Sequence, residues 1–321
     1  MKTILVVDAN NLIHIEFHNN KGYDGGNAAA DLAISQFIFR LNYLRMTHKP
    51  TTIILCFDST SNWRKEYTKS PEAVTHKVYK ENRTKKLSSK EREVKKYLDQ
   101  RIDELANKLK EHTKLFVLCK DGIEGDDFVG GVCQIYGGED AVQIKLVSSD
   151  KDYMQLLRHP NVQIVNPLKH GKKRTLKDFN NDPDLYLFEK CIRGDGKDNV
   201  RSSYPRVRRV KIVEAFYDDY KRENMMEHEF EETIYDEHSD EYTNVSYKVR
   251  DLFEENQMLL NLERQPEEIQ KDILDEIEKE LLSKKKLSVP RFIRYAGKNE
   301  MKNIVSSMTR IMNTLANKPV P

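Results

Sequence analysis

Apolar residues fall along this chain in two rhythms. In the first half, five short runs rich in Val, Ile and Leu read as buried strands, over residues 3–8, 52–58, 114–118, 144–148 and 162–166. Between them apolar positions recur at helical spacing, over residues 27–46, 88–112 and 125–136. Continuous apolar strands alternating with helices predict an α/β fold, with a mostly parallel central sheet flanked by helices on both faces. After about residue 166 the strand rhythm fades. Helices are predicted over 184–192, 206–217, 245–262, 267–282 and 298–316, and the tail at 317–321 is expected to fray. These patterns divide the chain into an α/β core, residues 1–183, and a helical region, residues 184–321, with a soft boundary at 167–183.

Charge sharpens the picture. Of the 321 residues 33% are charged, yet the net charge is only +2 and the mean hydropathy is −0.73, so opposite charges are segregated. Residues 63–96 and 193–211 are basic, while 223–241 is acidic and contains no Lys or Arg. Basic blocks beside acidic clusters suit a polyanion held near metal ions. The four cysteines, Cys56, Cys119, Cys133 and Cys191, form no C-x-x-C pair and read as buried free thiols of a reducing compartment. No apolar run has the length of a membrane span, and the chain opens directly on a strand, so a soluble, cytoplasmic protein is expected.

The chemistry lies where apolar runs end. Asp8 closes the first run and Asp58 the second. Glu124, Asp126 and Asp127 open a predicted helix, Asp150 and Asp152 follow the fourth run, and Asp195 and Asp198 sit in Gly194-Asp195-Gly196-Lys197-Asp198-Asn199. Singly, each has an ordinary explanation as a turn former, an N-cap or a first-turn acid. Together they place many carboxylates at strand ends, and in an open parallel sheet those ends share one crevice. Oxygen-only donors in that number point to hard divalent cations, and to two-metal phosphoryl transfer with ions about 3.5–4 Å apart. His14 and His18 are four apart but lack the Glu that a zinc-protease helix needs directly after the first His, and read as solvated or core-edge residues. Within the basic block, Lys80 and Arg83 are three apart, hence neighbours if helical, Tyr79 offers a ring either to stack on a base or to pack on the domain, with base stacking the expected role, and Arg64 lies beside the only Trp. We read residues 60–96 as a helical arch inserted in the core.

Six motifs in order resemble the flap-endonuclease superfamily of structure-specific 5′ nucleases, most nearly its T-even phage ribonuclease H type. They are Val7-Asp8-Ala9-Asn10, Phe57-Asp58, Tyr79-Lys80-Glu81-Asn82-Arg83, Glu124-Gly125-Asp126-Asp127, Ser148-Ser149-Asp150-Lys151-Asp152 and the Gly194–Asn199 motif. The resemblance implies a PIN-like nuclease core. It implies a first Mg²⁺ near Asp8, Asp58, Glu124, Asp126, Asp127 and Asp150, and a second near Asp152, Asp195 and Asp198, with Mn²⁺ as a substitute. It gives Lys80 and Arg83 the reacting phosphate. It also implies a monomer that acts as 5′–3′ exonuclease and flap endonuclease on branched or nicked duplex DNA and RNA–DNA hybrids during replication, with a single-stranded DNA-binding protein as partner. The glycine-rich hairpin that usually follows the last motif is replaced by Val200-Arg201-Ser202-Ser203-Tyr204-Pro205-Arg206, so Arg201, Arg206, Arg208 and Arg209 are expected to hold duplex by side chain. A PIN-type ribonuclease and a non-catalytic branched-DNA binding protein are the alternatives.

Overall fold

In the computed structural model, which describes residues 1–75, 77–85, 87–169, 176–236 and 241–320, the five apolar runs of the first half pair into one sheet. β1 (Lys2–Asp8), β2 (Thr52–Cys56), β3 (Phe116–Leu118), β4 (Val142–Val147) and β5 (Val162–Val165) are all parallel and lie in the order β3-β2-β1-β4-β5. Ile4 to Val7 are almost wholly buried, as expected of a central strand covered on both faces. One face packs on the helices Gly26–His48 and Ser89–His112, the other on Gly125–Tyr136. Val7 lies level with Leu55 on β2 and Val147 on β4. From β1 the chain order runs outward in both directions, which makes the carboxyl end of β1 the switch point where such sheets bind ligands. Asp8 stands there.

Two compact units emerge, and neither is contiguous in sequence. The first comprises Met1–Asn62, Leu87–Thr175 and Glu267–Pro321, the second Trp63–Lys86 and Leu176–Pro266. The division expected from sequence, at 183 with the arch in the core and everything later in the helical region, is therefore redrawn. Residues 63–86 group with the later helices, and residues from 267 onward group with the sheet.

In the first unit the cause is visible at the open edge of β3. The Val117 amide has no strand neighbour and donates instead to Glu280 Oε1 at 2.7 Å, from the helix Glu267–Leu282. Lys285 donates to the same buried carboxylate, and Lys110 approaches its other oxygen at 3.7 Å. Burial pushes the Lys110 ammonium down, but Glu276 and Glu280 outweigh it and hold the group above its usual range. The same helix crosses Gly125–Tyr136 at Gly131, where a Cβ would stand 2.7 Å from both Ile273 and Ile277. Only glycine allows that approach. The carboxy-terminal tail is tied down rather than frayed: Arg45 donates to the Lys318 and Pro319 carbonyls, and Asn317 accepts from the Ile53 amide at 2.9 Å. The helix expected over 298–316 is two pieces, Lys302–Ser306 and Met308–Leu315, and an unpredicted helix, Val289–Lys298, precedes them, with Glu300 in the left-handed region between it and the first piece. A further helix, Ala9–Asn19, was not predicted; Asp8 caps it, accepting from the Asn11 amide at 3.0 Å.

The second unit packs the helices Pro183–Arg193, Arg209–Tyr217, Asp219–Met226 and Val249–Leu260 around Phe188, Ile192, Ile212 and Met226. It also holds an antiparallel hairpin, β6 (Glu229–Asp236) with β7 (Glu241–Lys248), where the sequence suggested an acidic stretch and then a helix from 245. Phe230 and Tyr247 face each other across it with ring centroids 5.7 Å apart. No helix among the described residues is long and apolar enough to cross a membrane.

Replacing Glu280 with Ala should strand the Val117 amide and leave Lys110 and Lys285 without their shared acceptor. The expected cost is about 2–4 kcal/mol, read by urea unfolding.

Candidate metal centre and active site

The carboxyl edge of the sheet gathers the acidic residues of the first unit. Asp8 is 6% exposed and shares its oxygens between the Asn11 amide, the Ser148 hydroxyl at 3.0 Å and the Tyr153 hydroxyl at 3.1 Å. Tyr153 also donates to Asp126, so one buried hydroxyl ties two carboxylates together. Asp58 Oδ1 accepts from the Gly125 amide at 2.8 Å, which brings the end of β2 onto the helix that Glu124 opens. A Cβ at Gly125 would lie 3.1 Å from that same oxygen. Asp150 is exposed, its amide held by Ser148 Oγ and its Oδ1 by the Asp152 amide, both at 3.0 Å. Asn11 Oδ1 accepts from the Ser149 amide at 3.0 Å and so anchors the loop after β4.

The electrostatics follow from this crowding. Burial, then the charge of Asp58, pushes the Asp8 carboxyl up to about 7, against the pull of its hydrogen bonds; Asp150 adds to the rise. Burial, followed by the field of Asp8, also holds the Cys56 thiol far above its usual range, so it is not a nucleophile. The donor set consists of carboxylate oxygens at unequal depth, with Asp126 and Asp150 more open than Asp8 and Glu124. That composition fits a hard divalent cation, and a positive charge there would oppose the burial and the neighbouring charges that raise the Asp8 carboxyl. Asp127 departs from the expected set. It is fully buried and accepts from the Glu124 amide at 3.3 Å, which makes it the N3 member of a capping box rather than a ligand.

The second unit assembles the other motifs. Gly194 sits at φ 68, and a Cβ there would come within 2.4 Å of the Arg201 carbonyl. The glycine permits a tight loop in which Asp195 and Val200 exchange backbone hydrogen bonds of 3.0 and 2.8 Å. Asp195 lies 3.3 Å from Lys190; burial raises its carboxyl, but Lys190 and the Lys197 amide bring it net below the usual range. Asp198 is nearly buried and accepts from Arg83 and from the Tyr79 hydroxyl at 3.2 Å, with Lys80 Nζ at 4.0 Å. Further bonds stitch the same segments together: the Lys80 amide donates to the Asp198 carbonyl at 2.8 Å, and the Asn82 and Asn199 side-chain amides donate to the Gly196 and Val78 carbonyls, both at 2.9 Å. The arch cations are thus prearranged on one carboxylate.

Three residues expected to touch nucleic acid are instead interior. Arg64 is 1% exposed, donates to the Leu259 carbonyl at 2.8 Å and stacks on Trp63. The Tyr79 ring is 5% exposed and covered by Lys80, so it offers no face to a base. Arg201 is buried against the Tyr247 ring, 3.1 Å from Glu232. Arg206, Arg208 and Arg209 are exposed at the start of Arg209–Tyr217, and Arg209 is engaged by Glu189. The serines that stand where glycines were expected bind helix-end carbonyls: Ser202 and Ser203 both reach Ile192.

Sequence reasoning missed three organising residues. Tyr153 reads as ordinary core in its local context. Glu255 accepts from the Val74 and Thr75 amides at 2.7 and 3.0 Å and from Tyr67, anchoring the arch. Asn256 donates to the Cys191 and Arg201 carbonyls and so fixes the Gly194 loop from the same helix.

The first unit thus presents a carboxylate crevice at the switch point of a β3-β2-β1-β4-β5 parallel sheet. The chain matches the family described as 5′-3′ exonuclease, N-terminal resolvase-like domain, over residues 3–183, and belongs to it. It is similar to ribonuclease H of Enterobacteria phage T4, with 27% identity over 154 residues, 47% of this chain and 46% of that protein. The chain thus spans about half the length of the curated relative it matches. Among solved structures it is similar to the T5 D15 protein co-crystallised with metal ions, with a TM-score of 0.62 and 18% identity over 87% of this chain and 99% of that one. A complex of the bacteriophage T5 D15 flap endonuclease with DNA and metal ions gives 0.61 and 17% over 88% and 100%. At these identities the two likenesses carry the fold.

Tyr153→Phe removes the hydroxyl that holds both Asp8 and Asp126. The protein should still fold, but Mn²⁺ affinity by calorimetry should fall about tenfold, the usual size of such a supporting contact. The pH dependence has a definite sign. The folded Asp8 pKa, about 7, lies above the ordinary aspartate value of 3.8. Its contribution to metal-free stability is therefore full below the unfolded value and lost as pH rises through about 7, while metal affinity rises over the same window.

Proposed function

We propose that this protein is a divalent-metal-dependent, structure-specific 5′ nuclease that removes primers and flaps by 5′–3′ exonuclease and flap endonuclease action on duplex DNA and RNA–DNA hybrids. The observation that carries it is the crevice itself: Asp8, Asp58, Glu124, Asp126 and Asp150 at one strand-end site, where burial, joined by the charges of Asp58 and Asp150, pushes the Asp8 carboxyl up to about 7. Mg²⁺ is the physiological candidate, held by Asp126 and Asp150 directly and by Asp8, Asp58 and Glu124 in part through water. Bound there, such an ion supplies a Lewis acid that lowers the pKa of water. The chain's own residues do the rest. Tyr153 and Ser148 orient Asp8, Gly125 orients Asp58, and Lys80 and Arg83 present positive charge to a phosphate. The role of Asp152, Asp195 and Asp198 around a second ion stands on the resemblance. The same ground supports a cytoplasmic monomer that works beside a single-stranded DNA-binding protein.

The test is cleavage of a 5′-labelled flap duplex and a nicked RNA–DNA hybrid, with Mg²⁺ and with EDTA. Short 5′ products that require metal are expected. Structure-selective binding without cleavage would put a binding protein in place of the nuclease, and preference for single-stranded RNA would favour the PIN-type ribonuclease. Asp126→Asn should reduce cleavage at least about a hundredfold and leave DNA affinity within about threefold. Lys80→Ala should slow cleavage about 10²–10³-fold with a much smaller effect on binding, measured under single turnover.

A further inference from the structure

The first unit carries a second concentration of charge at the opposite edge of its sheet. The helix Ser89–His112 runs antiparallel to the strands, so its last turns lie near the start of β3, away from the carboxylates. There it packs on Val289–Lys298, which is sharply two-sided. Phe292, Tyr295 and Ala296 are buried, whereas Arg291, Arg294 and Lys298, spaced i, i+3 and i+7, are exposed along one stripe. Lys108 and His112 face that stripe, and together these side chains line a cavity of about 480 Å³.

Glu104 is the one carboxylate in the cavity wall, and Arg101 and Asn299 already engage it. Glu111, beside the cavity, is held below the usual carboxylate range by Lys108, with the fields of His112 and Arg291 adding to it. Among the described residues Arg291, Arg294 and Lys298 form no ion pair. The Tyr295 hydroxyl and His112 Nδ1, both in the lining, are buried and lack a hydrogen-bond partner among the described residues. Buried polar atoms of that kind are ordinarily satisfied by a ligand or water oxygen.

We propose that this groove binds the phosphodiester backbone of duplex nucleic acid, as a second contact remote from the carboxylate crevice. The identity of the occupant rests on the nuclease proposal; the geometry favours a backbone over a single anion. The three helix cations spread over about 10 Å instead of converging on a point, which suits successive phosphates of a strand. The 24-residue helix is about 36 Å long, so a duplex lying along it spans crevice edge to groove in about ten base pairs.

The test is Arg291→Glu, Arg294→Glu and Lys298→Glu combined, with an unchanged thermal melt as the check on folding. Anisotropy in EDTA would compare a hairpin-closed flap substrate of about 6 base pairs, too short to reach the groove, with one of about 30. The long substrate should lose about tenfold in affinity, with a salt slope smaller by about 2–3, and the short one should be unaffected. Equal affinity of variant and wild type for the long substrate overturns the proposal, and so does equal loss on both. Retained duplex binding with lost binding of polyglutamate would assign the groove to an acidic protein instead, and overturns it too. Mg²⁺-dependent cleavage of the short substrate by the same variant reports separately on the nuclease proposal.

Discussion

The structure depends on a repulsion it does not resolve by itself. β1 finishes in Asp8 and Asp58 follows two residues after β2, both at the carboxyl edge of the sheet, and the helix beginning at Gly125 delivers Asp126 and, through the Gly125 amide, holds the half-buried Asp58 in the same place. Uncharged donors soften the crowding: Ser148, Tyr153 and backbone amides satisfy lone pairs without adding positive charge. Their pull is outweighed by burial first, then by the charges of Asp58 and Asp150, so the Asp8 carboxyl is pushed up to about 7, above the carboxylate range. A site in this state is pre-shaped for a cation, because binding exchanges a proton and a repulsion for a coordinated charge.

The second unit solves its own charge problem differently. Asp198 is nearly buried but surrounded by Arg83, Lys80 and Tyr79, and Asp195 by Lys190. Here protein cations supply the compensation. The arrangement holds the arch residues in a fixed relation to the Gly194 loop, while Glu255 and Asn256, adjacent on one helix, secure the arch and the loop from beneath. Two neighbouring polar residues on Val249–Leu260 thus organise two segments more than a hundred positions apart in sequence.

How far this was legible in the chain depends on the physics of each part. Parallel strands buried on both faces must be continuous apolar runs, so all five strands stood out, and the acidic residues stood out because they end those runs. Direction was harder. A basic or aromatic residue type does not reveal which way the side chain turns, and Arg64, Tyr79 and Arg201 turn inward. Asp127 looked like its neighbours but serves the helix it sits in. Tyr153 and Glu255 were hidden because a tyrosine beside a strand and a glutamate in an amphipathic helix have commonplace explanations. The hairpin was masked by its acidity, although Thr243, Val245 and Tyr247 carry strand preference, and the ordered tail depends on Arg45, which is distant in sequence.

The most direct measurement of the central claim is calorimetric titration of the metal-free protein with Mn²⁺ at a pH just below 7, in two buffers of different ionisation enthalpy. The account predicts saturable binding that releases a proton, and loss of that release in Asp8→Asn. Absence of binding, or binding with no proton released, would contradict it.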